Sequence, residues 1–123
     1  MKIKDRVTSF RNAFNGMAIL LFSQTNARLH LIATVAVVAL GYYFQISVNE
    51  WILITIAIAM VFSAELFNTA IERLADVIHP EYNPKIKTIK DLAAAGVLMT
   101  ALGAAIIGIF LFGSRIIQVL PFN

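Results

Sequence analysis

ELFNTAIERLADVIHPEYNPKIKTIKD, residues 65–91, separates two long apolar runs of the chain. Neither residues 51–64 before it nor residues 92–113 after it contain a charged side chain. A carboxylate at the centre of a membrane helix costs about 3 kcal/mol on insertion scales. Glu65 directly follows the first of these runs and Glu72 lies on the same predicted helix, so the presence of both carboxylates near hydrocarbon indicates a functional role.

The polar residues of this stretch share one helical face. Glu65, Asn68, Glu72 and Asp76 fall at i, i+3, i+7 and i+11, whereas the opposite face is apolar. This spacing predicts that the polar groups converge on one site. The alternative is a solvated helix end, in which Glu72, Arg73 and Asp76 lie beyond the membrane and Arg73 pairs locally.

Composition places the chain among membrane proteins. Of its 123 residues 59% are hydrophobic and 14% charged, with a mean hydropathy of +0.80, outside the range of an ordinary soluble domain. No linker divides it, so residues 1–123 are expected to form a single domain. The absence of cysteine excludes disulfides and thiol chemistry. The basic residues lie beside apolar segments, which favours anionic lipid over nucleic acid as a partner.

Hydrophobic patterning predicts an all-α membrane protein with an N-terminal interfacial helix and three transmembrane helices. The interfacial helix covers residues 3–22, because its large apolar residues recur every three or four positions and polar residues fill the other side. A signal peptide is the alternative, but no small-residue cleavage site is evident. The spans are expected at about residues 29–46, 51–78 and 91–113.

The connections between these elements are polar. Residues 22–30 are predicted to form a hinge, whose Gln24, Asn26, Arg28 and His30 either face headgroups or join the polar site. Pro80 and Pro84 break the second long helix from the third. All basic residues except Arg115 fall on the side of the N-terminus and the loop at 79–91, so the positive-inside rule puts that side in the cytoplasm.

The polar stretch has the groups that phosphoryl transfer requires. Standard nucleotide loops and zinc spacings are absent from the sequence. Glu72 can bind a hard divalent cation when substrate phosphates supply the other ligands. Lys90 can offset phosphate charge, and Glu65 can take the proton from a lipid hydroxyl.

The run Glu65-x-x-Asn68-x-x-x-Glu72-x-x-x-Asp76, with Lys90-Asp91-x-x-x-Ala95 after a short loop, resembles the signature of the prokaryotic diacylglycerol kinase family, which includes the undecaprenol kinases. The resemblance extends over nearly the whole chain. Residues 26–30, NARLH, resemble the undecaprenol-kinase branch and its relatives more than they resemble the enterobacterial diacylglycerol kinases.

The resemblance implies a homotrimer in the bacterial inner membrane that uses Mg²⁺ and ATP at the cytoplasmic interface. Carried onto matching positions, Glu65 would be the general base and Asn68 would position the reacting groups. Glu72 would bind magnesium. The residues expected to hold the nucleotide are Asp76, Lys90 and Asp91, together with Glu81 and Tyr82 of the loop.

One position departs from the family pattern. The family usually has a glutamate as second metal ligand where this sequence has Gln24. A neutral amide is a weaker magnesium ligand than a carboxylate. Either the metal is bound with one carboxylate fewer, or the kinase is weak, or the residue has been altered.

Two functions are therefore compared. The leading hypothesis is an ATP-dependent lipid kinase whose substrate is either diacylglycerol or undecaprenol. The alternative is a non-enzymatic membrane subunit, an ion pathway or assembly factor that uses the carboxylates for ions. Lys90-Asp91 favours the kinase, because an ion pathway does not require them.

Overall fold

The structure is a computed structural model that describes residues 3–120, and over that range the chain is all-helical. The helices are α1 (Ile3–Ser23), α2 (Thr25–Tyr43), α3 (Val48–Ile78) and α4 (Pro84–Val119). This confirms the all-α prediction.

The polar hinge predicted at residues 22–30 is wrong in extent. Gln24 alone leaves the helical conformation, with φ −113° and ψ 121°. The helix resumes at Thr25, where the Gln24 carbonyl accepts a hydrogen bond from the Arg28 amide, and Ala27 is fully buried one turn on. The polar side chains at 25–30 therefore project from an ordinary helix, which fixes their directions relative to one another.

All three helices predicted as spans begin earlier than expected, α2 at Thr25, α3 at Val48 and α4 at Pro84. Ser47 caps α3, because its hydroxyl accepts from the Glu50 amide and the Glu50 carboxylate accepts from the Ser47 amide. Asn83 caps α4 by accepting from the Lys85 amide at 2.9 Å, and Pro84 occupies the first helical turn, where its missing N–H costs nothing. The basic segment before residue 91 is thus helical.

Helices α3 and α4 form an antiparallel pair that is the main packing unit of the chain. Residues 79–83 connect them. Near this connection Lys90 pairs with Asp76, and at the opposite end Arg115 Nη1 lies 2.8 Å from Glu50 Oε1. Ion pairs at both ends fix the register of the two helices.

A small apolar core lies at the end of the molecule near the α2–α3 turn. Ile46, Ile54 and Phe112 form its buried centre. Gly41 is buried beside it, and a Cβ atom there would approach the Trp51 ring to 2.7 Å. Position 41 therefore has no room for a side chain without movement of the indole.

The outer surfaces of α3 and α4 are apolar. Both helices are long and apolar enough to cross a membrane, yet only 28% and 11% of their most apolar stretches are buried within the chain. A core helix of a soluble protein would be mostly covered, so these surfaces suit lipid or a neighbouring chain. Helix α2 is less apolar because Asn26, Arg28 and His30 lie in its first two turns.

The apolar face predicted for the interfacial helix is exposed along α1. Val7, Phe10 and Phe14 are each more than 60% exposed, and Met17 is 47% exposed. This face has the chemistry of a helix that lies in the membrane interface.

Candidate active site

A polar cavity of about 320 Å³ lies between α2, α3 and α4. Its polar groups come from two helices, since α4 contributes only apolar side chains. The lining residues are Asn26, Leu29 and His30 of α2, Glu65, Asn68 and Glu72 of α3, and Ala94, Val97, Leu98 and Ala101 of α4. Of the four polar residues predicted to share one face of α3, Glu65, Asn68 and Glu72 line the cavity and Asp76 does not.

Glu65 is the most deeply buried of these polar residues, with 2% of its surface exposed. Its Oε1 atom lies 3.3 Å from His30 Nε2 of α2. Within residues 3–120 that oxygen makes no hydrogen bond of normal geometry. Burying a carboxylate without partners is unfavourable, so the imidazole is the group that complements it in this chain.

Asn68 and Glu72 form a second polar unit one turn further along α3. Asn68 Nδ2 donates to Glu72 Oε1 at 3.1 Å. Asn68 Oδ1 is buried and has no partner in the described chain. The Asn68 amide therefore orients the Glu72 carboxylate in the cavity lining.

Thr69 was not singled out by the sequence analysis, although it is buried and its Oγ1 has no partner among the described residues. It lies at i+4 from Glu65 and thus on a neighbouring part of the same face. This spacing is the sequence feature that relates Thr69 to Glu65. By itself it does not predict a site, because threonine is common in apolar helices.

The hinge residues divide between the cavity and the surface. Asn26 and His30 line the cavity, whereas Arg28 is exposed and donates to Thr25 Oγ1 at 3.1 Å. Gln24 is half-buried at the α1–α2 break, makes no side-chain capping hydrogen bond, and is not among the residues that line the cavity. Asn26 and His30 thus join the polar cavity, whereas Gln24 and Arg28 do not line it.

The residues expected to hold a nucleotide lie beyond Glu72, around the α3–α4 connection. Lys90 pairs with Asp76 across the two helices, and Asp91 pairs with Lys87 one turn back on α4. Glu81 and Tyr82 lie in the connection itself and are exposed. Neighbours in sequence, Lys90 and Asp91 therefore belong to different ion pairs.

The part of the chain that the structure describes contains no cluster of three or more histidine, cysteine or acidic side chains able to enclose a metal. Glu72 contributes a carboxylate to the cavity lining, and carboxylate oxygens are of the hard type that magnesium prefers. It suits a magnesium ion whose remaining ligands come from phosphate and water.

A second cavity of about 270 Å³ lies further along the same helices. Most of its lining is aliphatic, including Val37, Ile54 and Val61. His30 and Ala101 line both cavities. An apolar space and a carboxylate site thus adjoin at the imidazole.

Comparison with known proteins gives one consistent result. Residues 11–112 match the sequence model of the family described as prokaryotic diacylglycerol kinase. The chain is 36% identical over 104 residues to an undecaprenol kinase of Bacillus subtilis (strain 168), which is 85% of each protein. It is 31% identical over 103 residues to a diacylglycerol kinase of Synechocystis sp., which is 83% of this chain and 59% of that protein.

An all-helical fold with membrane-length apolar helices and an adjoining carboxylate cavity is, in the light of these matches, that of an integral-membrane lipid kinase. The chain belongs to the prokaryotic diacylglycerol kinase family. The family resemblance drawn from the sequence motif is confirmed. The alternative of a non-enzymatic membrane subunit is excluded by the same matches.

Proposed function

We propose that this lipid kinase transfers the γ-phosphate of magnesium-bound ATP to the hydroxyl of a membrane lipid alcohol, undecaprenol or diacylglycerol. The observation that carries the proposal is the buried Glu65 carboxylate, which shares one cavity with the Asn68–Glu72 pair. Phosphoryl transfer depends chiefly on positioning and charge, and these groups provide both. The two relatives named above are kinases for these two lipids.

In the proposed step Glu65 is the general base. Its carboxylate accepts the proton of the lipid hydroxyl as the hydroxyl oxygen attacks the γ-phosphorus. The bond from that phosphorus to the bridging oxygen of ADP breaks, and ADP leaves with the electron pair. Asn68, one turn away, positions the reacting groups through its amide.

Glu72, which lines the cavity, is the proposed magnesium ligand. When bound, magnesium neutralises phosphate charge. Gln24 occupies the position at which the family pattern places a second protein ligand of the metal. The Asn68 amide meanwhile holds the Glu72 carboxylate in one orientation.

The nucleotide is proposed to bind around the α3–α4 connection, beyond Glu72. Lys90, released from Asp76, would pair with phosphate, because a lysine ammonium binds phosphate as a point charge. Asp91 would take part at the same end of α4, and Glu81 and Tyr82 would cover the nucleotide from the connection.

The proposed setting is the bacterial inner membrane, with the N-terminus and the polar cavity on the cytoplasmic side. The basic side chains at 85–90 and in α1 favour this orientation. Three spans, α2 to α4, and a homotrimer are part of the proposal. The extensive exposed apolar surface of α3 and α4 supports them.

The test is a side-by-side assay of the purified protein with undecaprenol and with diacylglycerol in mixed micelles. Labelled ATP is supplied with magnesium, and lipid phosphate is separated by thin-layer chromatography. We expect one of the two lipids to be phosphorylated at least about tenfold faster, a difference of about 1.4 kcal/mol in transition-state binding. Absence of phosphate transfer to either lipid would refute the proposed substrates.

A further inference from the structure

We propose that His30 is a positioning residue that orients the Glu65 carboxylate for its reaction with the lipid hydroxyl. The inference deepens the proposed function and rests on it. His30 lies on α2, whereas the family motif in residues 65–91 lies on α3, α4 and their connection.

The first observation is the contact between the two side chains. His30 Nε2 lies 3.3 Å from Glu65 Oε1, and the Glu65 side chain is 3% exposed, compared with 24% for His30. A carboxylate oxygen can only accept hydrogen bonds, whereas an imidazole that carries its proton on Nε2 can donate one. Within residues 3–120 Oε1 has no other partner.

The second observation is the asymmetry of the carboxylate. The contact engages Oε1, which leaves Oε2 for the substrate hydroxyl. A base contacted through one oxygen has a restricted orientation, and misplacement of a reacting group by about 1 Å can reduce the rate by about 100-fold. Fixing the rotation of the Glu65 carboxylate is therefore worth a large factor in turnover.

The third observation is where the imidazole lies. His30 belongs both to the lining of the aliphatic cavity and to that of the polar cavity. A lipid alcohol is an apolar chain that ends in a hydroxyl, so it has the same change of polarity along its length. Its hydroxyl would meet Glu65 at the boundary that His30 marks.

The other described residues of the cavity lining make no hydrogen bond to this oxygen. Helix α4 presents Val97, Leu98 and Ala101 there, and Asn68 directs its amide hydrogen to Glu72. The Thr69 hydroxyl, although buried, makes no hydrogen bond to Glu65. Removing the imidazole would leave Oε1 buried without a donor.

The test compares His30→Phe, which keeps a ring of similar size, with His30→Gln, whose amide can still donate to Glu65. We expect the kcat of His30→Phe to fall by about 10- to 100-fold while its KM for ATP changes less than about twofold. His30→Gln should recover most of the loss. If His30→Phe does not fold, His30→Leu takes its place.

Gln118→Phe provides the control, because Gln118 is exposed near the C-terminal end of α4 and lines neither cavity. This variant should leave kcat and the KM for lipid unchanged. A kcat of His30→Phe within about twofold of wild type, or a His30→Gln variant as slow as His30→Phe, would overturn the role.

A double variant shows whether His30 acts through Glu65. If it does, adding His30→Phe to Glu65→Gln should lower the residual turnover by less than about twofold, because the base that it orients is already gone. A further loss as large as in the wild-type background would show an independent role and overturn the inference. Wild-type turnover of either lipid separates these outcomes from failure of the proposed function itself.

Discussion

Glu65 combines deep burial with a carboxylate, and its substitution is the most direct test of the proposed chemistry. Glu65→Gln keeps the shape and removes the charge, so the fold should be retained. Loss of a general base typically lowers turnover by about 100- to 10,000-fold. We therefore expect lipid phosphorylation to fall at least 100-fold, measured as labelled lipid phosphate, with the melting temperature in detergent unchanged or raised. Near-normal turnover would make Glu65 a structural residue.

Gln24 tests the proposed metal position at the same scale. If Gln24 faces the metal, Gln24→Glu adds a carboxylate ligand and should lower the magnesium concentration needed for half-maximal turnover, with a higher maximal rate. Magnesium titrations of kinase activity measure both. Gln118→Glu is the matched control, because it introduces the same negative charge near the C-terminal end of α4, the end remote from the α3–α4 connection. Equal titration curves for wild type and Gln24→Glu would place this position outside the metal's surroundings.

At the scale of the elements, the approach of α2 to the start of α3 depends on Gly41. A Cβ atom there would lie 2.7 Å and 2.9 Å from two carbons of the Trp51 ring, which also contacts Tyr42 at a centroid distance of 5.1 Å. Moving the indole would disturb both the ring pair and the core beside Ile46.

We therefore expect Gly41→Ala to lower stability by about 1–3 kcal/mol, the usual result of overpacking. Thermal unfolding in detergent measures it. Gly16→Ala in α1 is the control, because nothing lies within 4 Å of its Cβ position and alanine favours helix there. If both variants melt alike, Trp51 adjusts without cost and the close approach is not a constraint.

At the scale of the whole molecule, the question is which chain supplies which part of a site. Within the described chain, Glu65, Asn68 and Glu72 line one cavity, whereas Lys90 lies outside that lining and pairs with Asp76. The outer apolar faces of α3 and α4 are exposed. Neighbouring chains in a homotrimer would cover these faces and complete the site.

Mixing two inactive variants tests that arrangement. Glu65→Gln lacks the base and Lys90→Ala lacks the nucleotide contact. If each site takes Glu65 from one chain and Lys90 from the next, equal random mixing in a ring leaves about one quarter of the sites complete. We expect activity to recover to that order in mixed trimers and to stay absent in either variant alone. No recovery after proven exchange of subunits would place both residues of a site on one chain.

Much of this protein could be predicted from sequence because the relevant physics is local. Apolar runs of membrane length, the 3.6-residue period of α1 and the shared face of Glu65, Asn68 and Glu72 depend on neighbours along one helix. The family motif also lies within one short stretch. These features predicted the all-helical fold, the membrane class and the kinase family, each of which is confirmed.

The tertiary structure decided what depends on how helices are rotated and placed against one another. The sequence left Gln24, Asn26, Arg28 and His30 equally able to face lipid headgroups or the site. The continuation of α2 back to Thr25 places Asn26 and the half-buried His30 on the cavity lining and leaves Arg28 outside it. Likewise, the antiparallel packing of α3 and α4 brings Lys90 to Asp76, which lies 14 positions earlier in the sequence. A helical period fixes which residues share a face, but only packing fixes what that face meets.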